Sequence, residues 1–332
     1  MSGSARSTGS GQAEDRRIRS LRPPKPFVDP SHVHGSLIED ERRPDGTIEQ
    51  ALTVFLAGAE CPFTCSFCDL WRWTIDGPTP PGALSAQLAE VLRSLESRAA
   101  PLHRLKLYNA SNFFDRRAVP AEDVPAIAAL AAPFAGVTVE SHANTVGSLT
   151  LELAQQIPGR LEVAMGLETI HPAAAAQLNK RLELARFDRA ARFLSDNDID
   201  LRVFVLLGAP HVPVDESIEW TVRTVEYAVQ RGASIVSIIP VRGGNGEMER
   251  LESLGQFVPP TRSQLEAALD GCLSFAAAVV TADLWDVEGL AACSACSAAR
   301  AERLRRINLT GRTEAAVVCR TCEPDINGVR LH

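Results

Sequence analysis

The 332-residue chain lacks any run of about 18 or more apolar residues long enough to cross a bilayer. It also lacks, near its start, the apolar core that a secretory leader carries before its cleavage site. These absences predict a soluble, cytoplasmic protein with no membrane partner. A basic excess is missing too. The formal net charge is -7, which argues against a surface that grips nucleic acid over its whole extent. Phosphate-loop chemistry has no support either, because the glycines of Gly243-Gly244-Asn245-Gly246 are not set in a strand-Gly-x-Gly-x-x-Gly-helix unit with an acidic partner.

What is present allows one large core. A chain of this size, with 45% hydrophobic residues, buries roughly three quarters of its unfolded surface. Eight cysteines without a leader point to metal ligation rather than disulfides.

Residues 1 to about 26 are rich in Ser, Gly and Arg and end in Pro23-Pro24-Lys25-Pro26. Such a composition predicts a disordered tail, which with a lead-in to residue 45 precedes a core over 46–285 and a cysteine-rich tail over 286–332. Within the core, short β-type runs alternate with helix-period segments, as βα units of a parallel sheet do. Six strands are expected, at Leu52–Leu56, Leu105–Tyr108, Val137–Val139, Leu161–Met165, Leu201–Leu207 and Ser234–Ile239. Six units with right-handed crossovers curl into a partial (β/α)6 TIM-like barrel, and function in such folds collects at the C-terminal ends of the strands.

After the first strand comes Cys61-Pro62-Phe63-Thr64-Cys65-Ser66-Phe67-Cys68, a C-x3-C-x2-C set. Three thiolates leave one coordination position open. A structural zinc site wants a fourth protein ligand, whereas an iron-sulfur cluster held by three cysteines keeps one iron free for a substrate or cofactor. The competing reading is a loop of buried or zinc-bound cysteines completed from elsewhere, for example by His142.

The spacing, Phe67 before the last cysteine and the strand-then-loop setting resemble the radical S-adenosylmethionine (radical SAM) superfamily. The resemblance covers about residues 49–280 and implies a six-unit barrel, a 4Fe-4S cluster on Cys61, Cys65 and Cys68, and S-adenosylmethionine on the open iron. It further implies reductive cleavage to a 5'-deoxyadenosyl radical that abstracts hydrogen from a substrate, fed by a flavodoxin- or ferredoxin-type electron donor. Relatives carry a Gly-Gly-Glu-like segment after the second strand to bind the methionyl ammonium. Here Tyr108-Asn109-Ala110-Ser111 stands there, so Asn109 and Ser111 take that role. Glu140 ends the third strand among the cofactor contacts. Glu168 is placed for the ribose hydroxyls, Lys180 for the methionyl carboxylate, and Phe67 beside adenine. Gly166-Leu167-Glu168-Thr169, Leu178-Asn179-Lys180 and Leu206-Leu207-Gly208-Ala209-Pro210 resemble the branch with the elongator catalytic subunit and the archaeosine-forming radical SAM protein, which implies a transfer RNA nucleoside as substrate. A peptide or small metabolite is the alternative, and a catalytically inert zinc or RNA-binding scaffold is the rival from another class.

Cys293-x2-Cys296 and Cys319-x2-Cys322 form two knuckles 22 residues apart. Four thiolates suit either structural zinc or an auxiliary iron-sulfur cluster. Between them the segment Arg300–Arg312 carries net charge +4 from five arginines and Glu302, and is read either as a solvated charged face or as a strip along an RNA backbone. Cys272, among Leu265, Leu269 and Leu273, is expected in the core.

Overall fold

The computed structural model describes residues 5–275 and 277–322. Eight strands follow one another across a single sheet in chain order: β1 (Gly35–Arg42), β2 (Ile48–Phe55), β3 (Arg104–Tyr108), β4 (Gly136–Ser141), β5 (Arg160–Glu168), β6 (Asp200–Leu207), β7 (Ile235–Pro240) and β8 (Val279–Ala282). β1 pairs antiparallel with β2, and every later neighbour is parallel. Ten α-helices accompany the sheet among the described residues. They are α1 (Ala5–Leu21), α2 (Ala83–Ser94), α3 (Asp123–Ala131), α4 (Ser148–Gln156), α5 (Pro172–Gln177), α6 (Leu184–Asp196), α7 (Ser217–Gln230), α8 (Glu247–Ser253), α9 (Arg262–Cys272) and α10 (Ser294–Thr310). None is long and apolar enough to cross a membrane.

The six expected strands are present as β2 to β7. The sheet nevertheless has seven parallel strands rather than six, because the four residues of β8 pair with β7, and it starts at Gly35 rather than after residue 45. β1 reads as a charged segment, Gly-Ser-Leu-Ile-Glu-Asp-Glu-Arg, with little apolar alternation. Its pairing is fixed by the turn in which Arg43 N–H donates to the Thr47 carbonyl at 2.8 Å. The sheet is curled and open, a partial barrel. α10 touches both of its edges, β1 and β8, and the Asn308 amide meets the exposed edge of β8, accepting from Ala282 N–H at 2.9 Å and donating to the Ala282 carbonyl at 2.8 Å. The tail expected from residue 286 is therefore partly built into the barrel.

Strand alternation divides the sheet into two faces. Leu52, Leu105, Val137 and Leu161 lie in register, and with Val54, Leu107, Val139, Val163 and Val203 they form the main core beneath Leu84, Leu88, Ile127, Phe187, Leu194 and Leu265 of the helices. Each such side chain contributes about 1.5–3 kcal/mol on burial. Cys272 lies in this core, as expected. The intervening residues Thr53, Lys106, Thr138 and Glu162, also in register, turn to the concave side.

The N-terminal segment departs from the expectation of disorder. α1 carries an internal Glu14–Arg17 ion pair, buries Ile18, and is tied down when Arg17 donates to both Glu247 oxygens at 2.8 and 2.7 Å. Composition gives no sign of such distant partners. Arg22 and Lys25 likewise pair with Glu60 and Asp76. The close approach needs Gly246, at φ +89°, because a side chain there would collide with the Leu21 carbonyl.

Candidate functional site

The concave side carries two layers. Near the N-terminal ends of the strands the charges are buried and paired. Glu162, fully buried, accepts from Arg202 Nε at 2.8 Å, Arg43 at 3.1 Å and Thr138 at 2.9 Å. Glu41 accepts from Arg202 at 2.6 Å, from Arg43 at 3.2 Å and from Lys106. Burial is the largest influence on both carboxyls and would raise them. The surrounding cations overcome it, Arg202 foremost, holding Glu162 at about 2 and Glu41 lower still. Above this layer Phe55, Tyr108, Phe204 and Trp285 form a chain of ring contacts with centroids 6.0–6.4 Å apart.

At the C-terminal ends of the strands lies the cysteine loop. Ser66 N–H donates to the Leu178 carbonyl at 2.9 Å, Asn179 donates to the Thr64 carbonyl at 2.7 Å, and Asn245 donates to the Ser66 carbonyl at 2.8 Å. Loops after β5 and β7 thus hold the loop after β2. Burial pushes all three thiols up to about 12, and Lys180 opposes the shift at each. Their spread matters. Among the described residues only the four C-terminal cysteines bring three or more candidate ligand atoms within 4.8 Å of one another, so Cys61, Cys65 and Cys68 stand wider apart. A single tetrahedral ion would hold its sulfurs about 3.8 Å apart. A cubane, with each thiolate on a different iron, sets them about 6 Å apart. His142 does not complete a zinc site: its Nε2 is engaged by the Lys180 carbonyl at 3.0 Å, its Nδ1 accepts from Asn144 N–H at 3.1 Å, and its ring stacks on Phe63.

Five of the six other residues expected at the site gather here. Lys180 donates to Glu168 at 2.8 Å in a buried pair. A bulge in β5 between Gly166 and Glu168, with Glu168 at φ +69°, turns this carboxylate over the strand end. Gly166 is required beneath it, because a Cβ there would lie 2.0 Å from Glu168 Oε1 and 2.8 Å from Lys180 Nζ. Asn109 is fully buried, yet neither atom of its amide has a partner, and the Ser111 hydroxyl has none. Glu140 accepts the Asn109 backbone N–H at 2.7 Å, and burial raises its carboxyl to about 7 against the hydrogen bonds from Asn109, Ser111 and Ala110. Phe67 packs instead with Leu206, Val241, Met248 and Phe257 in a second apolar cluster.

The mouth concentrates unmet polar groups and strain. Thr64, Ser66, Asn109, Ser111 and Asn112 supply six of the eleven buried side-chain polar atoms without a partner among the described residues. Each costs about 1–3 kcal/mol unless a ligand meets it. Ala110, Glu168, Asn179 and Arg181 are four of the seven non-glycine residues with positive φ among the described residues, a strain that clusters at ligand sites.

At the far end of the chain, the Sγ atoms of Cys293 and Cys319 lie 3.9 Å apart and those of Cys296 and Cys322 lie 3.7 Å apart. Four of the five arginines between the knuckles are engaged within the protein. Arg300 pairs with Glu266, Arg303 with Asp270, Arg305 with Glu288 and Glu302, and Arg306 with Glu314.

No family model and no curated protein matches the chain. Solved structures resemble it. The archaeal Methanocaldococcus infernus Elp3 with an N-terminal deletion aligns at 13% identity and TM-score 0.48, over 67% of this chain and 59% of that one. A radical SAM methyltransferase from Sphaerobacter thermophilus aligns at 16% identity and TM-score 0.49, over 75% and 73%. The radical SAM methyltransferase TsrM from Kitasatospora setae, bound to cobalamin and a [4Fe-4S] cluster, aligns at 12% identity and TM-score 0.44, over 61% and 39%. The chain thus spans under two thirds of the Elp3 and TsrM chains.

Asn112 escaped the sequence reading, and Asn179 and Asn245 were quoted there within longer segments without a role of their own. The Asn112 side-chain oxygen accepts from Ser141, from His142 N–H and from Thr145, linking the loops after β3 and β4. Lone asparagines in loops carry no motif. The alternation Leu105-Lys106-Leu107, Leu161-Glu162-Val163 and Leu201-Arg202-Val203 was a usable signal for the ionic layer, since each strand buries one charge between apolar neighbours.

Proposed function

We propose that the protein is a radical SAM enzyme, with a 4Fe-4S cluster on Cys61, Cys65 and Cys68. The observation that carries this reading is the mouth of the barrel: three thiols that do not all lie within 4.8 Å of one another, beside buried polar atoms that lack partners. The Asn109 amide and the Ser111 hydroxyl would meet the ammonium end of S-adenosylmethionine, Lys180 its carboxylate and Glu168 its ribose. Glu140 holds the 109–111 loop by its backbone N–H groups, which fixes where Asn109 and Ser111 point. The apolar packing of Phe67 keeps the cysteine loop seated and water away from it. Held by these residues, a cluster and S-adenosylmethionine would supply one-electron chemistry: with an electron from a donor, reductive cleavage of the sulfonium and hydrogen abstraction from substrate. A flavodoxin- or ferredoxin-type donor would feed it, and the four C-terminal thiolates would bind a second metal centre.

For the substrate, the branch motifs point to a transfer RNA nucleoside. A second reading, a peptide or small metabolite, is favoured by the internal ion pairs of Arg300, Arg303, Arg305 and Arg306, which leave little charge on that segment for a phosphate backbone. Anaerobically reconstituted protein given S-adenosylmethionine and a strong reductant should release 5'-deoxyadenosine, and changing Cys61, Cys65 and Cys68 to Ala should abolish the release. Release that survives those changes would remove the assignment. Transfer RNA binding that weakens steeply with salt separates the two substrate readings.

A further inference from the structure

The geometry points to a single tetrahedral zinc ion, and not an iron-sulfur cluster, as the occupant of Cys293, Cys296, Cys319 and Cys322. This inference stands apart from the reading of the cysteine loop. A zinc–sulfur bond of about 2.3 Å in a regular tetrahedron sets the sulfurs about 3.8 Å from one another. The two crossed pairs lie at 3.9 and 3.7 Å, and all four sulfurs fall within 4.8 Å of each other. Any cluster of two or more irons must place at least some of its thiolates on different irons, about 6 Å apart. No pair here reaches that distance.

The surroundings fit a closed ion as well. Cys293 caps the N-terminus of α10 and Cys296 lies in its first turn. Four thiolates around a dication leave a net charge of about -2. Arg262 and Arg300 line the same small hollow as Cys293 and Cys296, and Arg262, which meets carbonyl and hydroxyl oxygens rather than a carboxylate, supplies compensating charge. Both are held in place, Arg262 by the Ser297 carbonyl and hydroxyl at 2.7 and 2.9 Å, and Arg300 by Glu266 and Ser263.

The consequence is architectural. The ion closes a loop from Cys293 to Cys322 and draws the segment after α10 back onto that helix's start. α10 is the helix that touches both edges of the sheet and meets β8 through Asn308. Zinc would therefore brace the gap in the barrel from a place remote from Cys61, Cys65 and Cys68.

Metal analysis of the full-length protein tests this. The chain as purified should hold about one zinc, and keep it when Cys61, Cys65 and Cys68 are changed to Ala and all iron is lost. C293S and C319S should each lose it. Cobalt exchanged into the protein should give the intense visible bands of a tetrahedral thiolate site. Should those serine variants fail to fold, X-ray absorption at the zinc edge of the unaltered protein still decides, with one shell of four sulfurs at about 2.3 Å expected. Iron and sulfide that persist in the triple-alanine protein, or a metal neighbour in the absorption spectrum, would overturn the inference.

Discussion

The concave face of the sheet holds two layers on the same strands, and they treat polar groups in opposite ways. In the lower layer Glu41, Glu162, Arg43, Lys106 and Arg202 are buried and paired several times over. In the upper layer Asn109 is as deeply buried and Ser111 also lies there, yet their side chains are paired with nothing, and the backbone at Ala110 and Glu168 takes strained angles. The first layer holds the barrel together. The second costs stability that a ligand meeting those groups would repay.

Substitutions should separate the layers. The largest effect is expected from Glu162→Ala, which strands Arg202 and Arg43 without their shared carboxylate. Breaking such a buried pair costs about 3–5 kcal/mol, read as a fall in the denaturant midpoint. Acid should do the same to the unaltered protein. Glu162 and Glu41 titrate below their unfolded values in the fold, so the stability they contribute is present above the unfolded value of about 4.3. It is lost as pH falls from there toward 2. A midpoint that stays flat across that window would show that the ionic layer is not what holds the barrel. Next in size is Gly166→Ala. Its methyl group would displace the Glu168–Lys180 pair at a cost of about 1–3 kcal/mol, with loss of S-adenosylmethionine binding by calorimetry.

Glu140 behaves in the reverse sense. Its carboxyl lies at about 7 in the fold, above its unfolded value, so the stability it contributes is full below about 4.3 and declines as pH rises through 7. Glu140→Gln should flatten the dependence of stability on pH between those values. The smallest stability effect belongs to Asn109→Ala. Removing an amide whose two atoms make no hydrogen bond relieves their desolvation cost and offsets the packing lost, so stability should hold or rise while 5'-deoxyadenosine release falls sharply. A large loss of stability in that variant would show that the amide is satisfied within the protein and not waiting for a ligand.

The legible part of this molecule was the part written in local patterns. Strands β2 to β7 announced themselves through apolar runs such as Leu201-Arg202-Val203-Phe204-Val205. Cys61, Cys65 and Cys68 stood out through their spacing, the Phe67 before the last of them and the strand-then-loop setting. The misses share a different cause. α1 is held by Glu247 and Asp15's partners Asn179 and Arg181, more than 160 residues away, and β1 is a charged segment fixed by its turn and by the ionic layer. Both depend on contacts that exist only once the sheet has formed. The arginines of α10 looked available because their acidic partners, Glu266, Asp270 and Glu288, belong to other elements.

The central claim concerns Cys61, Cys65 and Cys68, and counting metal on them tests it most directly. After anaerobic reconstitution the account predicts about four irons and four sulfides per chain, a paramagnetic signal on reduction, and a change in that signal when S-adenosylmethionine is added, all absent when these three cysteines are changed to Ala. Protein that takes up no iron and sulfide on this loop, or whose reduced signal ignores S-adenosylmethionine, would contradict it.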